Sequence, residues 1–365
     1  MRTEAVGGGL SVKADDELRS SILQVLMLGF RGLTVQPQDM VSTAVSAGIG
    51  SVVLFDVDGP SGLTLGRNVE SPTQVADLCQ QLHAASPFQQ LLIAIDMEGG
   101  LVCRLKEQYG YPATQSARDL GTGDPQQTYE AAAGIADTLA RAGINLNLAP
   151  CVDVDVNPDN PVIGSKKRSY SADPEWVAEH AAAFVRAHRD RGILTCLKHF
   201  PGHGSSHEDS HVGFTDVTKT WSRDELIPFR RLIEQGLVDA VMTAHVVNSQ
   251  LDEVPATISG RIIDKLLRDE LGFDGVVISD DMGMGAITKQ YGLAEAIIGA
   301  LNSGVDMLAL ANQGSYEETI VEQAIDIITD AITTGRLERS RLESAAGRIR
   351  HLRARLTENI LTERP

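Results

Sequence analysis

Residues 198–213 read KHFPGHGSSHEDSHVG and carry four of the nine histidines: His199, His203, His207 and His211, each four residues from the next. On a helix that spacing would stack the imidazoles on one face and suit zinc. Pro201, Gly202 and Gly204 oppose a helix. The segment therefore reads as a loop, and a zinc ladder has no scaffold. Two readings stand: a solvated polar loop, or a catalytic loop in which a carboxylate orients an imidazole. Asp209-Ser210-His211 supplies the second. A carboxylate two residues away can fix the ring tautomer and stabilise the imidazolium. Asp-x-His is common by chance, so spacing alone leaves both readings open.

Other groups able to do chemistry recur at the ends of apolar runs. Asp96 ends LLIAID, and Asp153 and Asp155 follow NLNLAPC. Lys198 and His199 end ILTCLKH, His245 follows AVMTA, and Asp280 and Asp281 follow GVVIS. Polar groups used only for solubility would be scattered, whereas these gather at the same end of successive strands. That is where a parallel α/β barrel assembles its chemistry.

The elements that must carry them follow one pattern: a helix-like stretch, a glycine, then a short apolar run. It appears at Gly48, Gly143, Gly192, Gly236, Gly272 and Gly304. Glycine closes a helix in the left-handed region, and near-continuous apolar runs suit parallel strands covered on both faces. With two further runs the pattern predicts eight strands, near 22–28, 51–55, 91–96, 145–150, 193–198, 238–244, 275–279 and 306–311. Asp124-Pro125 and Asp173-Pro174 read as helix starts, a capping residue followed by proline at the first helical position. Strand and helix alternate without a linker. The expected fold is an α/β (β/α)₈ (TIM-type) barrel in a single domain over 16–365, after a tail at 1–15 and ending in a closing helix beyond about 335.

Composition narrows the function. The formal charge of −17 would repel a phosphate backbone, so nucleic acid is not an expected partner. No apolar run is long enough to cross a bilayer, and the first twenty residues lack a secretory apolar segment, so a cytoplasmic protein with no membrane partner is expected. Cys79, Cys103, Cys151 and Cys196 lack metal-type spacing and read as small buried hydrophobes.

Together AIDMEGGLVCRL, NLNLAPCVDV, NPVIGSKKRSY, KHFPGHGSSHEDSH and PATISGRIIDKLLRDELGFDGVVISDDMGMGA resemble glycoside hydrolase family 3, in order from about residue 20 to about 315. Within it they are similar to the bacterial β-N-acetylhexosaminidases of peptidoglycan recycling. The resemblance implies a (β/α)₈ barrel and hydrolysis of terminal, non-reducing N-acetyl-β-D-glucosamine with retention, without metal or cofactor. It implies Asp280 as nucleophile, with Asp281 an orienting runner-up, and Asp209 with His211 as the acid/base pair. It implies sugar contacts from Asp96, Arg104, Lys198 and His199. The family's arginine after Gly-x maps to Arg168, although Lys166 and Lys167 stand before it. Met97 departs from a common glutamine. The expected substrate is an N-acetylglucosamine-containing glycoside or a muropeptide.

That chemistry suits the residue types. A retaining glycosidase needs an ionised nucleophile at the anomeric carbon and a proton donor for the departing oxygen. An imidazole with a pKa near ~6.5 can donate and then accept near neutrality without adding a negative charge. Lysine and arginine donors beside an aspartate acceptor suit sugar hydroxyls. The glycine- and serine-rich loop is expected to be mobile over about 201–213. Rival readings are phosphorolysis, another sugar, a barrel metallohydrolase and a sugar-binding relic.

Overall fold

Asp124 and Asp173 cap helices as their sequence contexts suggest. The Asp124 carboxylate accepts from Gln126 N at 2.7 Å and opens the helix Pro125–Ala142, which Gly143 closes at φ 76°. Asp173 accepts from Glu175 N at 3.0 Å and opens the helix Pro174–Arg189. Each such cap is worth about 1 kcal/mol. Val177, Ala181, Phe184 and Val185, spaced as one apolar face, are all buried. The computed structural model describes residues 8–63, 67–88, 90–210 and 213–362.

Eight parallel strands form the sheet: β1 Leu26–Gly29, β2 Ser51–Leu54, β3 Leu92–Ile95, β4 Leu146–Asn147, β5 Leu194–Phe200, β6 Ala240–Thr243, β7 Val276–Ile278 and β8 Leu308–Leu310. Each of β1 to β6 pairs with the next, and β1 also pairs with β8. A parallel bridge between Ile278 and Met307, with Ser279 N donating to Met307 O at 2.9 Å, closes the ring. The expected (β/α)₈ barrel is therefore present, with a helix in each crossover.

The first strand is a correction. Residues 22–24 were expected in it, but they end the helix Gly8–Gln24, and β1 begins at Leu26. The run ILQVLMLGF is continuously apolar because Ile22 and Leu23 pack on the barrel from a helix while Leu26–Gly29 lie within it. The helix also overlaps the expected tail; residues 1–7 lie outside the described part. After β8 come the helices Ile320–Thr333 and Arg339–Thr362, the second being the expected closing helix. No helix among the described residues is long and apolar enough to cross a membrane.

Candidate active site

Asp96 follows β3, Lys198 and His199 lie on β5, and Asp280 follows β7, so all emerge at the C-terminal end of the barrel. They line one cavity of about 510 Å³ together with Arg104 and Arg168. Arg104 arrives on a short antiparallel hairpin, Met97–Gly99 with Val102–Cys103. Arg168 comes from the long connection after β4.

The floor of the cavity is an ion network. Lys198 Nζ lies 2.7 Å from Asp96 Oδ1 and 2.7 Å from Glu98 Oε1. Arg168 grips Glu98 with two parallel bonds, Nε to Oε2 at 2.9 Å and Nη2 to Oε1 at 2.7 Å. Arg104 Nη2 donates to the other oxygen of Asp96 at 3.2 Å. Such a network is rigid because each cation is shared and the paired Arg–carboxylate geometry is directional. It presents donors and an acceptor to the cavity in fixed positions, as hydroxyl recognition requires.

Glu98 was not singled out in the sequence. It stands two residues after Asp96, and in extended backbone that spacing returns a side chain to the same face. The period-two signal in DME was therefore readable.

His199 has both ring nitrogens engaged. Arg168 Nη2 can only donate, so Nε2 accepts from it at 3.2 Å and Nδ1–H donates to Asp153 Oδ2 at 2.7 Å. Asp153 also accepts from the main-chain N–H groups of His199 and His203. Among the described residues, the group placed to hold a metal is Cys151, Asp153 and His199, with ligand atoms within 4.8 Å of one another. Their donors are spent on one another: Cys151 Sγ lies 3.2 Å from Asp153 Oδ2, and the Arg168 guanidinium stands beside the imidazole.

Electrostatics fix the charge states. Burial opposes the charge of Asp96, but Lys198 and Arg104 outweigh it and hold its carboxyl well below the usual range. Burial likewise opposes charge at Glu98 and Asp153, and Arg168 with Lys198, and His199, respectively, pull them down. A carboxyl depressed in the folded state contributes stability above its unfolded value, about 4. That contribution is lost as pH falls towards the folded value. Scanning calorimetry should show the melting temperature falling steeply between about pH 4.5 and 2, with a shallower slope in Glu98→Gln.

The Lys166, Lys167 and Arg168 run separates by position. Arg168 is buried in the network. Lys166 is exposed and lines the cavity. Lys167 lies 3.9 Å from Asp119, and the cavity lining does not include it. Met97 is buried in the core with its Sδ 3.3 Å from Leu105 N, so this departure from the family does not alter the cavity wall.

Asp280 and Asp281 have different surroundings. Asp280 lines the cavity, and its Oδ1 accepts from Asp281 N at 2.8 Å. Asp281 also lines it, but its Oδ1 accepts from Gly283 N and Ala311 N, each at 3.0 Å, bracing the end of β7 against that of β8. His245 bridges Thr257 Oγ1 at 2.8 Å and the Asp281 carbonyl at 2.9 Å, a support behind the wall.

The histidine segment is a loop, as Pro201 and the glycines demand. Residues 201–206 are buried, which corrects the expectation of mobility for this part. A Cβ at Gly204 would lie 1.8 Å from the Val154 carbonyl oxygen, so glycine is what permits the contact. The fully buried Asn160 staples the loop: Nδ2 donates to His203 O at 2.7 Å and Ser206 Oγ at 3.0 Å. Its Oδ1 accepts from Val162 N and Ile163 N. Nothing in PDNPV announces this role, which depends on a distant loop. His203 is also buried, bonded to Ser206 and Ser210, and burial pushes its pKa down to about 4. His207 is exposed. Ser210 lines the cavity and Asp209 is half-buried; His211 lies outside the described residues. All four cysteines are unpaired and buried.

Comparison with known proteins adds to this geometry. The family model described as glycosyl hydrolase family 3 N terminal domain matches residues 18–352. A β-hexosaminidase A of Pseudoalteromonas piscicida is 33% identical over 90% of this chain and 57% of its own length. A β-hexosaminidase of Stenotrophomonas maltophilia is 37% identical over 81% of this chain and 86% of its own. Among solved structures, a family 3 β-N-acetylglucosaminidase from Paenibacillus sp. superposes with a TM-score of 0.84 at 37% identity, over 94% of this chain and 63% of that one. A β-N-acetylhexosaminidase from Beutenbergia cavernae gives 0.81 at 30% identity, over 92% and 98%. The chain thus spans less than two thirds of some of these proteins and nearly all of another.

Proposed function

We propose, from the premise that the chain belongs to glycosyl hydrolase family 3, that it is a retaining β-N-acetylhexosaminidase. Its substrate is a terminal, non-reducing N-acetyl-β-D-glucosamine residue, and a muropeptide is the first natural substrate to test. The observation that carries the reading is Asp280 in the wall of the same cavity as the Asp96, Arg104, Lys198 and Arg168 network, with Ser210 of the histidine loop in that wall too. The names of similar proteins support the sugar. A cytoplasmic setting is supported by four cysteines that remain unpaired.

In the proposed reaction the Asp280 carboxylate attacks the anomeric carbon and forms a glycosyl ester. The departing oxygen takes a proton from His211, which Asp209 orients. Water then attacks the anomeric carbon of that ester, gives a proton to His211, and displaces the Asp280 carboxylate. Arg104, Lys198 and Arg168 donate to the ring substituents, Asp96 accepts, and His199 holds Arg168 in place.

His211→Ala should lower kcat about 10²-fold or more on an alkyl glycoside, whose leaving oxygen needs a proton, and much less on a dinitrophenyl glycoside. Equal loss on both, or none, would remove His211 from the mechanism. Hydrolysis of an aryl β-N-acetylglucosaminide well above the aryl β-glucoside, unaffected by added phosphate, is the outcome that supports the sugar and the acceptor. Release of a sugar 1-phosphate would replace hydrolysis by phosphorolysis.

A further inference from the structure

Beneath the histidine loop lies a carboxyl group that the proposed reaction does not use. Glu225 belongs to the short 3-10 helix Arg223–Leu226 and is 1% exposed. A Cβ at Gly202 would fall 2.7 Å from Glu225 Cβ and 2.8 Å from its Oε2, so the loop rests directly on this side chain. Both carboxyl oxygens of Glu225 and the hydroxyl of Ser205 are buried without a hydrogen bond of ordinary geometry. The polar groups that face the carboxyl are the Ser205 hydroxyl and the main-chain N–H groups of Ser205 and Gly204, so the loop closes over it with contacts short of ordinary hydrogen bonds, and such a buried group calls for a reason. Just before Glu225 in the chain, the Trp221 indole N–H donates to the Pro201 carbonyl at 3.0 Å. Residues 221–226 thus form the floor under 201–205.

We propose that Glu225 is a positioning residue for the reaction, its buried carboxyl fixing the seat of residues 202–205 and, through them, the approach of the following Asp209–Ser210 segment to the cavity. This rests on the reading of Asp209 and His211 as the proton-transfer pair. The seat is pH-sensitive. Burial pushes the Glu225 pKa up to about 8, although the Ser205 hydroxyl and the main-chain N–H groups of Ser205 and Gly204 favour the charged form; Asp153 adds to the rise. The other ionisable groups nearby are His199 and His203, both held by Asp153, and Arg223 and Asp224 on its own helix, of which Arg223 pairs outward with Glu270. Below about pH 8 the carboxyl is neutral and can donate to a loop oxygen. Above it, a negative charge appears in a buried space beside ionised Asp153, and the loop shifts to tighten the Ser205 and Gly204 N–H groups on the carboxylate or to admit water.

The chain has two tryptophans, so a Trp176→Phe background leaves Trp221 as the sole indole reporter on the Pro201 carbonyl. In that background the full-length protein should show a change in Trp221 emission with a midpoint near pH 8, absent in Glu225→Gln. Glu225→Gln should keep its neutral-pH kcat on an alkyl N-acetylglucosaminide within about twofold and show a shallower alkaline fall, the part set by His211 deprotonation remaining. Glu225→Ala should lose about tenfold at pH 6.5 on the alkyl glycoside and little on a dinitrophenyl one. If Glu225→Ala does not fold, Glu225→Gln alone carries the test. A Trp221 transition that persists in Glu225→Gln, or wild-type pH profiles in both variants, overturns the role. His211→Ala separates the two failures. Wild-type rates there remove the proton-transfer reading and this inference with it, whereas a slowed His211→Ala beside an unchanged Glu225→Gln profile removes the inference alone.

Discussion

Asp280→Ala is expected to lower kcat on an aryl β-N-acetylglucosaminide by about 10⁴-fold or more while N-acetylglucosamine still binds. Removing a nucleophile forfeits the covalent route, and losses of that scale are characteristic of such deletions. Within the binding network Asp96, Glu98, Lys198, Arg168 and Arg104 hold one another. Asp280 sits half-buried after β7, so losing its carboxylate leaves no deep cavity and the fold should persist. Single-turnover kinetics and titration calorimetry check the two halves. A variant that turns over at more than a few per cent of wild type would move the nucleophile elsewhere. Asp281 is the nearest candidate, but its Oδ1 already joins β7 to β8 through Gly283 N and Ala311 N.

The second large effect is expected at Glu98. Glu98→Ala removes the carboxylate that Arg168 grips with two bonds and that Lys198 shares with Asp96. A buried guanidinium left without its partner costs about 3–5 kcal/mol. The melting temperature should fall by roughly 4–7 °C. Arg168 would also lose its fixed position, and with it the hydrogen bond that engages His199 Nε2. Displacement of about 1 Å at a binding group costs on the order of 10²-fold in kcat/KM. Glu98→Gln keeps one acceptor oxygen and the shape, so its losses should lie between wild type and alanine. Wild-type kcat/KM in Glu98→Ala would show that Arg168 is placed without it.

Much of the architecture is written locally. Asp124-Pro125 and Asp173-Pro174 mark helix starts, Gly143 and Gly304 mark helix ends, and the apolar runs after them are strands. Where an apolar run is shared by two elements, local reading fails. Ile22 and Leu23 belong to a helix and Leu26 to a strand, yet all three are buried and alike in composition. The charged groups at strand ends were legible because the barrel gathers strand ends, which brings Asp96, Lys198 and Asp280 to one cavity from distant parts of the chain. Asn160 and Glu225 were not legible, because each acts on a loop remote in sequence. The glycines of the histidine loop suggested freedom, whereas Gly204 serves close approach to the Val154 carbonyl.

The Asn160 staple has a consequence for how such a barrel can change. One amide bonds the carbonyl of His203 and also anchors Val162 and Ile163, which precede the lysine–arginine run in the same connection. Lengthening or shortening that connection would therefore drag the neighbouring segment with it. Grafting one loop from a relative should fail unless the other is transplanted as its companion, so the pair must be inherited as a single module.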